Sequence, residues 1–406
     1  MTHVVFALPY ALDTTLRFVR SVAKLPGVEL GIVTQEDPAR FPQDLRDAVV
    51  SFQPVDDALD ADSLEASVRQ CGRELGGVDR LIGILEPMQE SMAAVRERLG
   101  VPGMSLATAR NFRDKSKMKD VLRENDIPCA RHGLATTRDE AIAFGESSGY
   151  PIVVKPPDGA GAKNTFRVND AAEMEQCLQM APPRDGQPVL LEEFVQGREH
   201  SFDSVSIGGR HLFHSISRYT PTPLEVMQTP WIQWCVSLPR SIDGPEFEDI
   251  LAVGPRVLDV LGMETGLTHM EWFRRPDGSL AISEVAARPP GAQFTSLISW
   301  AHDIDLYSAW AEVVIFDRFE VPERRWAVGA AFLRGQGRGR VRSVRGVEEA
   351  QKALGELVVE ARLPQVGQPA ATSYEGEGYV ILRHTDTEVV ERGLQKLVKT
   401  LQVNLT

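Results

Sequence analysis

Residues 268–291, THMEWFRRPDGSLAISEVAARPPG, restrict the folds open to this chain more than any other stretch. Asp277-Gly278 stands between two strand-like runs, a strong short-range hairpin signal. With those two residues as the loop, Pro276 pairs with Ser279, and counting outward sets Glu271 opposite Glu284. A four-residue loop with the same centre gives the same pairing. Directly opposed residues share a face, with Cβ atoms ~4.5–5.5 Å apart. Two carboxylates repel there unless a cation lies between them or water screens them. Magnesium, which takes one or two carboxylates together with substrate phosphates, suits the first case. On the hairpin alone a metal pair and a solvent-screened acidic pair stand as equals, and a register slip of one residue removes the argument.

Upstream, residues 152–155 (IVVK) read as a buried strand that ends in Lys155, with Pro156-Pro157 and a glycine-containing turn at 158–164 behind it. Such a turn lets backbone N–H groups approach phosphate oxygens, and the lysine adds a point charge. It is not a P-loop, since GxxxxGK[ST] is absent. A strand-end lysine before a glycine turn is, by itself, more often surface decoration. Residues 113–125 read as one helix carrying Lys115, Lys117 and Lys119. Lys115, Met118 and Leu122 fall at i, i+3 and i+7, so Lys115 shares the apolar face, and Lys119 at i+4 can share it. A solvated face with a snorkelling lysine fits the same pattern.

Around these pieces the 406 residues divide into three expected parts. Over residues 1–110, strands at 4–8, 28–34 and 80–85 alternate with helices at 14–25, 63–75 and 88–99, which argues for a parallel α/β sheet. No GxGxxG follows the first strand, so dinucleotide binding is not indicated. Residues 111–323 are strand-rich, with a helix at 247–261 and a Pro-rich irregular segment between 220 and 239. Residues 324–406 hold a strand at 328–333, a Gly/Arg stretch, a helix at 347–354 and a closing strand–helix pair. The expected class is α/β in the first part and α+β in the rest.

Charge and cysteines narrow the partners. With 57 acidic against 44 basic residues the formal charge is −13, which argues against general nucleic-acid binding but not against one small anion held by a few local lysines. Arg334, Arg338, Arg340, Arg342 and Arg345 read as a solvated hairpin or a contact to an anionic substrate rather than a nucleic-acid patch. Cys71, Cys129, Cys177 and Cys235 show no CxxC spacing. The start of the chain reads as a buried strand rather than a signal peptide, and no apolar run approaches the ~18–20 residues of a spanning helix. A cytoplasmic protein with reduced thiols and no membrane partner is expected.

Taken in order, these pieces resemble the ATP-grasp superfamily, and the likeness covers nearly the whole chain. Asp114-Lys115 with Met118 resembles the family's first nucleotide lysine motif and Lys155-Pro156 its second. Gly159-Ala160-Gly161 resembles the loop that closes on the triphosphate, and Glu192-Glu193-Phe194-Val195-Gln196-Gly197-Arg198-Glu199 the hinge that holds adenine and ribose. Glu271 and the run Glu284 to Gly291 resemble the magnesium-binding strands. The resemblance implies an ATP-grasp fold, with an N-terminal parallel α/β domain (1–110), a nucleotide-binding and catalytic centre (111–323) and a C-terminal lid (324–406).

It also implies roles. Lys115 and Lys155 would contact the α- and β-phosphates, with Gly159 and Gly161 over the triphosphate. Glu192 would accept from the adenine amino group, with Glu193, the Phe194 backbone and Val195 along the ring edge, and Glu199 would bind the ribose hydroxyls. Glu271 and Glu284 would hold Mg2+, or Mn2+ in its place. Arg288 would stabilise the acyl phosphate and the tetrahedral intermediate. One position departs from the family's E-x-N: Ala286 stands where Asn is usual. Either Glu284 and the phosphates hold both ions or one metal site is weak.

The implied activity is ATP-dependent joining of a small-molecule carboxylate, an amino acid or related acid, to an amine through an acyl phosphate, releasing ADP and phosphate. Members are commonly homodimers. An ATP-grasp carboxylase acting through carboxyphosphate, and a nucleotide-binding relative without catalysis, remain as alternatives. Segment 214–239, with Arg218, Tyr219, Met227, Trp231 and Trp234, is the candidate substrate lining; aromatics that merely cover the core are the other reading. His269 shares the Glu271 face, with a hydrogen-bonded structural role as its plainer explanation. His302 is a distant candidate for the acceptor site.

Overall fold

The structure, a computed structural model, describes residues 1–158, 164–184, 186–229 and 232–406. Gly159, Gly161 and Trp231, all named above, lie outside the described residues.

The first part forms a four-stranded parallel sheet in the order Ser51–Pro54, Val28–Thr34, Thr2–Ala7, Arg80–Ile82. Its central strand, Thr2–Ala7, ends in four consecutive buried residues, as a strand covered on both faces should. Helix Asp13–Ala23 covers one face, and helices Ala61–Leu75 and Gln89–Leu99 pack with the other. Strand Ser51–Pro54 and the short helix Gln43–Ala48 before it escaped the pattern because each is too short to show a period.

Two antiparallel sheets follow. The smaller has the order His132–Ala135, Val189–Glu193, Ile152–Lys155, Phe166–Val168. The larger has eight strands: Leu280–Ala286, Gly266–Arg274, Arg198–Ile207, Arg210–Thr220, Trp234–Leu238, Ala327–Leu333, Gly378–His384, Val358–Arg362. Its last three strands come from the stretch 324–406, expected to be a lid, and continue the central sheet. A three-stranded sheet, Gly335–Gln336, Gln402–Leu405 and Val341–Arg345, stands beside it.

Burial joins the parts. Phe18 on the first helix meets Tyr307 and Trp310 edge-on, with ring centroids 4.8 and 5.0 Å apart. Next to it, Arg17 donates to Ser296 Oγ (3.0 Å), Tyr307 Oη (3.3 Å), Glu360 Oε1 (3.0 Å) and Tyr379 Oη (3.2 Å). One guanidinium thus ties the first helix to Phe294–His302, Leu306–Phe316 and the end of the large sheet. Among the described residues no helix is long and apolar enough to cross a membrane.

Candidate active site

The two glutamates do face each other: Glu271 lies opposite Glu284. The path to that pairing differs from the expected one. Arg275 N–H donates to the Ser279 carbonyl (2.8 Å) and Gly278 N–H to the Arg275 carbonyl (3.0 Å). The turn therefore has three residues, Pro276, Asp277 and Gly278, the last at φ 86°, where glycine alone is unstrained. Pro276 does not pair with Ser279, and the ladder begins one step off the expected count, with Arg274 opposite Leu280 and Trp272 opposite Ile282. A β-bulge then absorbs Ser283 and restores Glu271 opposite Glu284. Without it, alternation would turn Glu284 to the side of Met270 and Trp272, both fully buried.

Lys115 Nζ lies 2.8 Å from Glu284 Oε1. Burial alone would raise the Glu284 pKa, but the Lys115 and Lys155 ammonium groups outweigh it and bring it down to about 2. The helix expected over 113–125 begins at Lys115, with Asp114 outside it as the cap. Helix Leu106–Arg113 ends there, and Asp114 caps Lys115–Glu124 by accepting from Ser116 N (2.9 Å) and Lys117 N (3.1 Å). Lys115 is thus the first helical residue, and its N–H donates to the Pro157 carbonyl (3.1 Å) at the end of the Lys155 strand. Both lysines approach the cavity from this junction.

Lys119 belongs to the site more deeply than its spacing indicated. It is fully buried, and its Nζ lies 3.2 Å from Glu192 Oε1 and donates to the Ser283 carbonyl of the bulge. Lys155 Nζ meets the other oxygen of Glu192 at 2.9 Å. Burial opposes ionisation of Glu192, yet the two lysines hold its pKa below the usual range. The register Val153 opposite Glu192 sets this contact.

The hinge residues Glu193, Phe194, Val195, Gln196 and Gly197 line the same cavity. Glu193 is paired outward, with Arg131 (3.0 Å) and Arg275 (2.7 Å). Phe194 N–H donates to the Pro151 carbonyl (3.1 Å), so its carbonyl is what it offers a base edge. Its ring carries the Arg167 guanidinium at 4.2 Å. A Cβ at Gly197 would sit 2.4 Å from the Arg274 carbonyl oxygen, so only glycine lets the hinge lie against that strand. Glu199 is buried; burial and the Glu271 carboxylate push its pKa well above the usual range.

Arg288 is held by Glu86, through Nε (3.1 Å) and Nη2 (2.5 Å) on Oε2, while Arg113 Nη1 reaches Oε1 at 3.3 Å. Glu86, 6% exposed, lies 202 positions from Arg288, and the sequence reading missed it. The one available signal was its place just past strand Arg80–Ile82, since open α/β sheets place ligands beyond the carboxyl ends of their strands.

Past the glutamates the cavity becomes aromatic. Tyr219, Trp234, Phe294 and Tyr374 line it, with Trp234 against Tyr374 at 4.7 Å and Tyr219 at 5.4 Å. His269 Nδ1 bonds Asp203 Oδ1 (2.6 Å), and its Nε2 lies 3.6 Å from Glu271. Burial would lower the His269 pKa, but Asp203 dominates and raises it to about 10. Of segment 214–239, Tyr219, Thr222, Pro223, Leu224, Glu225, Gln228 and Trp234 line the cavity. Arg218 points elsewhere, to Glu391 (3.1 Å) and Glu246 (3.6 Å). His302 is buried edge-on to Phe213 and does not line the cavity. The whole cavity measures ≈ 420 Å³.

Among the described residues no group of three or more His, Cys, Asp or Glu gathers as a metal cage. Two opposed carboxylates in a cavity of nucleotide size do fit a magnesium ion that takes its remaining ligands from phosphate and water. Ala286, opposite His269, adds no oxygen from its side chain.

Comparisons with known proteins agree with this geometry. The ATP-grasp domain family matches residues 120–299. The chain is 26% identical over 313 residues to an L-arginine-specific L-amino acid ligase of Bacillus subtilis, covering 75% of this chain and 74% of the relative. The fold resembles the crystal structure of an L-amino acid ligase from Bacillus licheniformis, with TM-score 0.80, 21% identity and coverage of 99% and 98% of the two chains. It also resembles N5-carboxyaminoimidazole ribonucleotide synthetase from Thermotoga maritima, with TM-score 0.74, 16% identity and full coverage of both chains. The matched range, residues 120–299, holds Lys155, the hinge and both glutamates, so this part of the chain is an ATP-grasp domain.

Proposed function

We propose that this protein is an ATP-dependent carboxylate–amine ligase that activates an amino acid or related acid as an acyl phosphate and joins it to an amine, releasing ADP and phosphate. The observation that carries the reading is one cavity in which the Glu271–Glu284 pair, Lys115, Lys155 and Arg288 converge. The similarity to amino-acid ligases supports it.

In this reading the hinge from Glu192 to Val195 holds adenine, and Glu199 holds the ribose hydroxyls. Lys115 and Lys155 neutralise the phosphates, and Glu271 and Glu284 would hold Mg2+. When bound, the ion offsets the charge of the γ-phosphate so that an anionic carboxylate can approach. The acid's carboxylate oxygen forms a bond to the γ-phosphorus as the bond to the β-phosphate oxygen breaks, giving acyl phosphate and ADP. The amine nitrogen then bonds to the acyl carbon, inorganic phosphate leaves, and the amine loses a proton. Arg288 stabilises the developing oxyanion and the departing phosphate by placed positive charge. No enzyme nucleophile is needed.

The test is phosphate release with ATP, magnesium and pairs of amino acids or amines. Release that depends on an added amino acid is expected. Release that depends on bicarbonate and ignores amino acids would move the protein to the carboxylase reading. A homodimer in the cytoplasm belongs to the same proposal, and sedimentation equilibrium checks the first half: a species of twice 44.8 kDa.

A further inference from the structure

Arg334 does not behave as part of a solvated basic patch. Its Nη1 donates to three main-chain carbonyls, those of Val226 (2.5 Å), Thr229 (3.2 Å) and Ile232 (3.2 Å). Its main chain is clamped from the same direction. Arg334 N–H donates to Gln233 Oε1 (2.6 Å), and Gln233 Nε2 donates to the Arg334 carbonyl (2.8 Å).

These carbonyls lie at and beyond the end of helix Pro223–Gln228, which has only six residues. So short a helix is not stable alone; Thr229 N–H donates to the Val226 carbonyl (3.3 Å) and Ile232 N–H to the Thr229 carbonyl (3.1 Å), and the guanidinium adds a charged donor to both. A cation there also complements the helix dipole. The helix carries Pro223, Leu224, Glu225 and Gln228 to the cavity wall, whereas Arg334 does not line the cavity.

Glu377 plays the matching part on the facing wall. It is 5% exposed and accepts from Gly335 N (2.7 Å) and Ala371 N (2.8 Å). This pins both ends of the turn that presents Tyr374, whose ring packs on Trp234. Glu377 is likewise outside the cavity. The two walls therefore hang from neighbouring points on one strand end, Leu333 to Gly335, where Glu377 N–H also donates to the Leu333 carbonyl (2.8 Å).

We propose that Arg334 and Glu377 are positioning residues that set the shape of the substrate end of the cavity, and so select the acid or amine without touching it. The proposal rests on the ligase reading above. Its test is steady-state kinetics of R334M, R334K and E377Q on the full chain, with thermal melting alongside. A misplacement of about 1 Å at a substrate wall can cost a large factor, so R334M should raise KM for the amino-acid substrate about tenfold or more. KM for ATP should stay within about twofold, because the hinge and lysines are held by other contacts. R334K, with one charged donor group in place of the planar fork, should recover part of the loss.

Equal rises in both KM values, or an unchanged amino-acid KM, would overturn the proposal, since a merely structural role lowers the melting temperature without splitting them. If R334M fails to fold, E377Q, which keeps the side chain's size and one acceptor, is read by the same criterion. Wild-type protein that shows no amino-acid-dependent phosphate release would refute the ligase reading instead, before any variant is compared.

Discussion

Glu192 is wedged between Lys155 and Lys119 at 2.9 and 3.2 Å with almost no exposure. Removing the shared partner of two buried cations is costly, so Glu192→Leu should destabilise the fold by about 3–5 kcal/mol, measurable by urea unfolding. Glu284 sits differently. It faces the cavity and pairs with the buried Lys115, so Glu284→Gln should lower the melting temperature and reduce turnover by about a hundredfold or more. Full activity in that variant would refute its metal role. The lysine, hinge and glutamate motifs were legible because each is a short run with its own chemistry. Glu86 and Lys119 were not fully legible. Glu86 acts on Arg288 across 202 positions, and no local pattern encodes such a contact. Lys119 differed from any helical surface lysine only in sharing the face of Met118 and Leu122.

At the scale of elements, the junction at Asp114 decides where Lys115 points. The sequence reading began the helix at 113 and gave none to residues 106–112, because residues 106–124 contain no Pro or Gly to mark where one helix stops and the next starts. The break comes from the aspartate itself, whose carboxylate caps the second helix. Asp114→Ala should cost about 1 kcal/mol by chemical denaturation and weaken ATP binding, by isothermal titration, more than amino-acid binding. The hairpin shows a different limit. Asp277-Gly278 correctly announced a turn, but not its length. The pairing of the two glutamates survived because the three-residue turn and the bulge at Ser283 offset each other by one residue. A period-two reading has no means of seeing a bulge, since nothing in SEVA distinguishes an extra residue from a paired one.

At the scale of the whole molecule, the first helix couples the α/β sheet to the centre through Phe18 and Arg17. Phe18→Ala removes a ring packed edge-on to Tyr307 and Trp310 and should destabilise the protein by about 3–5 kcal/mol in urea unfolding. The sheet connectivity among the three expected parts was not readable, because strand pairing between distant segments leaves no short-range mark. That connectivity has a consequence for any shortened version of the chain. Strand Trp234–Leu238 pairs along one side with Ala327–Leu333 over its full length. Ending the chain at residue 323 would strip that side and leave unpaired the N–H and C=O groups of the alternate residues that point toward it. Trp234, Val236 and Leu238, each now at most 1% exposed, would be opened along with them. Such an edge is a template for pairing with another copy. The fragment that retains Glu271, Glu284, Lys115 and Lys155 is therefore expected to self-associate into sheet-rich aggregates, seen by light scattering and thioflavin fluorescence, rather than to survive as a minimal enzyme.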